Sequence, residues 1–313
     1  MLMIDAEAVK RFMEFGPLVE AVREMFRADC IMPLRHHHTV EVPGEPDATA
    51  LLMPAWTVGG YLGVKLVNVF PGNADRGLPA VSGVYVLFDG KTGEALAMID
   101  GGELTVRRTA AASALAADYL ARKDASHLLV VATGRLAPNQ IGAYRTVRPI
   151  DRVTVWGRNP DRARKVVEGL DDGIDARIAT DLEAAVAAAD IISCATLATE
   201  PLIHGAWLRP GQHLDLIGGF TPKMREADDD CIRRAAVFCD TRAGATVEAG
   251  DLTQPLASGV LKLEDIPADL YDLCRGNHPG RTRDDEITLC KAAGAALEDL
   301  ASALLAYEKA DKG

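Results

Sequence analysis

The chain has 313 residues, 48% hydrophobic and 25% charged, with a formal net charge of −11. That length accommodates two domains with separate cores, and the acidic balance argues against nucleic acid or an anionic membrane as a partner, because both require a basic footprint. Six scattered cysteines without C-x-x-C spacing signal neither a zinc site nor a disulfide framework, Asp5, Glu7 and Glu14 interrupt the N-terminal apolar positions, and no apolar run reaches the length of a membrane span. The expectation is a cytoplasmic protein with reduced thiols.

Residues 1–118 read as one α+β unit. A helix over Ala6–Arg27 precedes five segments of strand character, HHHTVEVP, TALLMPAW, YLGVKLVNVF, AVSGVYVLFD and ALAMIDG. Their period-two patterning and Gly, Pro and Asn punctuation predict an antiparallel or mixed sheet. An alanine-rich helix follows over Thr105–Arg122. From Ser126 the strands HLLVVAT, RVTVWG, DARIAT, DIISCAT, HLDLIGG and AVFCDT alternate with helices that include 138–147, 160–170 and 182–189. Alternation of this kind predicts an α/β fold with a doubly wound parallel sheet. A last helix is predicted over Asp285–Lys309, returning to the first unit. The predicted division is a unit of residues 1–118 completed by 285–313, and a Rossmann-type cofactor unit over 119–284.

The first βα turn of the second unit carries chemistry. A strand that stops at glycine beside a helix start offers bare backbone N–H groups and a positive helix terminus to a pyrophosphate. The glycine pattern is partial, Ala132-Thr133-Gly134-Arg135-Leu136-Ala137, with alanine in place of the first glycine. The next strand ends Trp156-Gly157-Arg158-Asn159, with no carboxylate before Asp161. Where an NAD enzyme places an acid for the ribose hydroxyls, Arg158, helped by Arg162 and Arg135, offers planar donors to a 2′-phosphate. NADP(H) is therefore the preferred cofactor, with NAD(H) the alternative. Asn159-Pro160 also reads as a helix cap and first turn, and both roles can hold together.

Three cations of the first unit could take a small anion. Lys65 sits among apolar residues in a strand, where alternation leaves its inward or outward facing open. Arg35 lies ahead of a strand, and Arg108 opens the alanine-rich helix. His36-His37-His38 places two rings at most on one face of a strand, without a partner carboxylate, so no metal is expected. Hydrolase, zinc-protease and P-loop motifs are absent.

These residues resemble the ornithine cyclodeaminase and mu-crystallin family over nearly the whole chain. The resemblance rests on GVKLVNVFPGN (63–73), VRRTAAASALAADYLAR (106–122), the VVATGRLAP turn, ATLATEPLIHGAWLRPGQHLDLIGG (195–219) with FTPKMREADDD after it, and DDEITLCKAAGAALEDLA (284–301). It implies a central cofactor domain and a substrate-binding, dimerising domain made by the N-terminal half plus the C-terminal helix. It also implies that Lys65 is the active-site lysine, with Arg108 and Arg35 holding a substrate carboxylate. Cyclodeaminases carry an aspartate after the glycine pair of the fifth cofactor strand, where this chain has Phe220, and a glutamate before L-M-P, where it has Leu51. Phenylalanine cannot accept a proton, so the expected activity is that of the ketimine reductases in the family: NADPH-dependent reduction of Δ1-pyrroline-2-carboxylate to proline, with Δ1-piperideine-2-carboxylate to pipecolate related. Ornithine cyclodeaminase, alanine dehydrogenase and a non-catalytic NADPH-binding protein are the alternatives. On this reading Thr133, Gly134, Arg135, Leu136, Gly157, Arg158, Asn159 and Arg162 hold the cofactor's phosphate side. Thr196 and Leu197 lie under its ring, and Phe220 forms an apolar wall near it.

Overall fold

The computed structural model describes residues 1–171 and 173–311, so the last two residues of the predicted C-terminal segment lie outside the described residues. The chain forms two compact units, residues 1–109 with 295 onward, and residues 110–294. Each is built around its own sheet.

The first unit contains β1 (Leu2–Ile4), α1 (Ala6–Phe12), α2 (Phe15–Arg27), β2 (Cys30–Ile31), β3 (His36–Val40), β4 (Ala48–Thr57), β5 (Tyr61–Val69), β6 (Val81–Asp89) and β7 (Ala95–Asp100). Its sheet runs β1-β7-β6-β5-β4-β2, with β3 also on β4. All pairs are antiparallel except β1 with β7. The helix predicted over Ala6–Arg27 is two helices. Pro17 would clash with the carbonyl of Met13 in a continuous helix, so the chain turns at Met13 and restarts. The alanine-rich helix, α3 (Gly101–Leu120), begins earlier than predicted, because the Asp100 carboxylate caps it by accepting from the Glu103 N–H at 2.7 Å. Arg108 is consequently two turns inside α3 and not at its N-terminus.

The second unit holds β8 (His127–Val131), α4 (Leu136–Val147), β9 (Arg152–Trp156), α5 (Pro160–Glu168), β10 (Asp175–Ile178), α6 (Leu182–Ala188), β11 (Ile191–Cys194), β12 (His213–Leu216), α7 (Asp229–Arg234), β13 (Ala236–Cys239), α8 (Arg242–Glu248), α9 (Gly250–Ser258), α10 (Leu270–Arg275) and β14 (Thr288–Lys291). Every pair in its sheet, ordered β10-β9-β8-β11-β12-β14-β13, is parallel. Successive side chains of β8 go to opposite faces. Leu128 and Val130 join Ala117, Ile141 and Tyr144 in one core, while Leu129 and Val131 join Val186, Leu214 and Leu216 in another. Burying each such leucine or valine contributes about 1.5–3 kcal/mol.

The helix predicted from Asp285 is corrected by β14. Thr288–Lys291 is fully buried between β12 and β13, and a buried run with paired neighbours on both sides is a central strand. Residues 285–294 therefore belong to the second unit, and the returning helix, α11 (Ala296–Asp311), starts only after Gly294. It packs in the first unit against α2 and strands β4, β5 and β6.

Candidate active site

The chain reverses its strand order between β8 and β11, and a crevice opens beyond the carboxyl ends of parallel strands at such a point. A cleft of about 470 Å³ lies there, lined by Val131–Gly134, Trp156–Asn159, Arg162 and Ala195–Glu200 with Leu202. Of the expected cofactor residues it brings together Thr133, Gly134, Gly157, Arg158, Asn159, Arg162, Thr196 and Leu197. Arg135, Leu136 and Phe220 are not in its lining. Arg135 is the N-cap of α4, Leu136 its first residue, and Phe220 is 45% exposed.

The local backbone suits a dinucleotide. No side chain caps α4, which leaves its positive terminus open to an anion. A Cβ on Gly157 would come within 2.4 Å of Thr133 Cγ2, so the ends of β8 and β9 approach closely only because 157 is glycine. Ala132 costs the turn nothing conformationally: among the described residues no non-glycine has a positive φ, and Ala132 belongs to the core with Ala137 and Ile141. The Asn159 side chain accepts from the N–H groups of Asp161 (3.0 Å) and Arg162 (3.3 Å), capping α5, while Arg158 and Arg162 are exposed at the rim. Glu200 is the one carboxylate in the lining.

In the first unit, Lys65 faces inward and is 1% exposed. Its Nζ lies 2.8 Å from both Asp299 oxygens. Arg108 donates from Nη1 to Glu298 Oε2 at 2.8 Å, and its Nε lies 2.9 Å from Asp299 Oδ1. Two buried cations are thus matched one for one by two buried carboxylates on the first turn of α11, which holds them oriented at little net charge. Burial and the neighbouring Arg108 push the Lys65 ammonium down to about 8, with Arg35 adding to the repulsion and Asp299 opposing it. Lys65 is therefore a cation near neutral pH, lost on mild alkalinisation.

The sequence reading missed Glu298 and Asp299. A signal existed, two acids just ahead of the largely apolar stretch Leu300–Ala306, but such acids ordinarily cap or complement the helix dipole in solvent. It also missed a buried trio in the second unit, Glu226, Asp251 and Lys291. The histidine triplet forms the exposed strand β3, and among the described residues no group of three potential ligands gathers for a metal. No helix among them is long and apolar enough to cross a membrane.

The sequence profile of the ornithine cyclodeaminase/mu-crystallin family matches residues 2–313. A Delta(1)-pyrroline-2-carboxylate reductase of Paracoccus denitrificans is 42% identical over 308 residues, covering 95% of this chain and 96% of its own. The structure of the Thermococcus litoralis Delta(1)-pyrroline-2-carboxylate reductase, in complex with NADH and L-proline, superposes with a TM-score of 0.93 at 33% identity, covering 100% of this chain and 98% of that one. An archaeal alanine dehydrogenase dimer with bound NAD gives a TM-score of 0.91 at 31% identity, covering 100% of this chain and 96% of that one. With a match along essentially its whole length, the chain belongs to the ornithine cyclodeaminase/mu-crystallin family.

Proposed function

We propose that this chain is an oxidoreductase that reduces the C=N bond of a cyclic ketimine carboxylate with NADPH, taking Δ1-pyrroline-2-carboxylate to L-proline and Δ1-piperideine-2-carboxylate to L-pipecolate. The observation that carries the reading is a buried, carboxylate-braced Lys65 combined with a side chain that cannot titrate, Phe220, where the family's cyclodeaminases carry an acid. The similarity to named reductases points the same way.

The residues divide the work. Lys65 and Arg108, fixed by Asp299 and Glu298, bind the substrate carboxylate as preorganised donors, with Arg35 adding positive charge. The α4 terminus and the Thr133–Gly134 backbone hold a pyrophosphate, and Arg158 with Arg162 takes a 2′-phosphate. When bound, a reduced nicotinamide supplies hydride to the C=N carbon. A substrate that arrives as the iminium asks no protein acid for its nitrogen proton. By family membership we further expect a homodimer, and from its scattered, unpaired cysteines a cytoplasmic protein.

The test is spectrophotometric. Purified protein mixed with NADPH and Δ1-pyrroline-2-carboxylate should oxidise the cofactor and yield proline, while ornithine with NAD should release no ammonia. Ammonia and proline from ornithine, without NADPH oxidation by the ketimine, would establish a cyclodeaminase instead. Tight NADPH binding with neither reaction would establish a binding protein. Replacing Arg158 with Asp should move the preference from NADPH toward NADH, and an unchanged preference would remove Arg158 from phosphate recognition.

A further inference from the structure

The cleft wall after β11 is held from behind by charged groups that substrate binding does not use. β11 and β12 are parallel neighbours whose last residues, Cys194 and Leu216, are in register. Beyond them one carboxylate joins the two chains. Glu226 Oε1 accepts from the Thr196 N–H at 2.6 Å and its hydroxyl at 2.8 Å, and Oε2 accepts from the Gly218 N–H at 2.7 Å. The far end of the same wall is tied to the same residue, because the Glu226 carbonyl accepts from the N–H groups of Leu202 (2.9 Å) and Ile203 (3.0 Å). Arg225 adds a bond from its N–H to the Ala198 carbonyl at 2.8 Å. The segment Thr196–Leu202 is pinned at both ends and in the middle.

Glu226 is itself held. Its N–H donates to Asp251 Oδ1 at 2.7 Å, and Asp251 Oδ2 receives the Lys291 ammonium at 3.0 Å from the end of β14. The three side chains are 1% exposed or less. Only a glycine pair admits them: a Cβ at Gly218 would lie 1.9 Å from the Thr196 carbonyl oxygen and 2.5 Å from Glu226 Oε1, and one at Gly219 would lie 2.3 Å from Asp251 Oδ2. Apolar packing would stabilise this interior as well as a buried ionic trio does, so stability alone does not explain the arrangement.

We propose that Glu226 is a positioning residue for the nicotinamide half of the dinucleotide, holding the Thr196–Leu202 wall in register with β12, and that the Asp251–Lys291 pair holds Glu226. The inference rests on the reading that the cleft takes a dinucleotide. Arg158 at the end of β9 and the turn after β8 then serve the phosphate half, which leaves the wall after β11 for the ring. Burial and the Asp251 charge push the Glu226 carboxyl up to about 7, with Lys291 and the Thr196 donors opposing them.

The test separates the two halves of the ligand. Wild-type protein and Glu226→Gln are titrated calorimetrically with NADPH and with 2′-phospho-ADP-ribose, which lacks the nicotinamide. The amide turns a donor toward one of the two backbone N–H groups, of Thr196 or Gly218, that need an acceptor, so NADPH affinity should fall about tenfold or more while 2′-phospho-ADP-ribose affinity stays within about twofold. The primary isotope effect on kcat with 4-deuterated NADPH should rise as hydride transfer becomes limiting. Equal loss for both ligands, or loss for neither, overturns the positioning role. Wild-type protein that binds neither ligand overturns the dinucleotide reading itself. If Glu226→Gln does not fold, the double variant Asp251→Asn with Lys291→Met removes the ion pair and leaves the Glu226 acceptors. It should lose NADPH affinity selectively, by about threefold, and an unselective loss again refutes the proposal.

Discussion

A lysine in the middle of a strand is expensive to bury, and Lys65 is tolerated because Asp299 meets its ammonium with both oxygens. Replacing it with alanine removes a carboxylate donor that the proposed chemistry needs. We expect kcat/KM for the ketimine to fall about 100-fold with NADPH affinity unchanged, and a full rate would exclude Lys65 from the site. The ammonium, not the amine, binds an anion. With its titration lowered to about 8, kcat/KM should decline as pH rises through that value, and Lys65→Arg, which stays charged, should lose this alkaline limb even though its rate is lower. A pH profile with the same limb in Lys65→Arg assigns the titration to another group. The candidate lysine and arginines were legible because cations among apolar residues stand out. Their direction was not, since alternation permits either face of β5, and their partners were not, since α11 brings Asp299 to Lys65 across 234 residues and Glu298 to Arg108 across 190.

At the scale of elements, the second unit was legible where periodicity and length agreed. Six strands alternating with short helices left few arrangements other than a parallel doubly wound sheet. The exceptions have local causes: Pro17 divides the first helix, Asp100 starts α3 early, and neighbours on both sides convert Thr288–Lys291 into a strand. The β8 and β9 ends show how an element boundary becomes a binding feature. Gly157→Ala would force its methyl against Thr133 Cγ2 and separate the two strand ends that line the cleft, where we propose the phosphates bind. NADPH affinity should drop about tenfold, and adding Thr133→Ser, which deletes that Cγ2, should recover most of it. Calorimetric titration checks both steps, and a double variant as weak as Gly157→Ala would rule out the contact as the cause.

At the scale of the whole molecule, the acid side of the stability curve is set by opposing effects. Lowering the pH shrinks a net charge of −11 and relieves self-repulsion. Against this stands His213, fully buried at the start of β12. The Thr288 hydroxyl donates to the Leu120 carbonyl, so His213 Nδ1 carries the proton of their 3.0 Å bond, and Nε2 has no partner among the described residues. Burial, with Arg281 and Arg148 nearby, pushes this imidazole down to about 3. A depressed histidine contributes stability that is complete above its unfolded pKa and is lost as pH falls toward the folded one, because only the unfolded chain takes up the proton. Between pH 7.5 and 5.5 that loss amounts to about 1.4 kcal/mol, and His127, depressed chiefly by burial, acts in the same direction. Urea unfolding at the two pH values should therefore show His213→Leu losing about 1.4 kcal/mol less than wild type across the interval, whatever the carboxylates and the net charge contribute to both. Parallel losses in the two proteins would mean that His213 takes up its proton in the folded chain over the same pH range as in the unfolded one, which its burial and the two neighbouring arginines argue against.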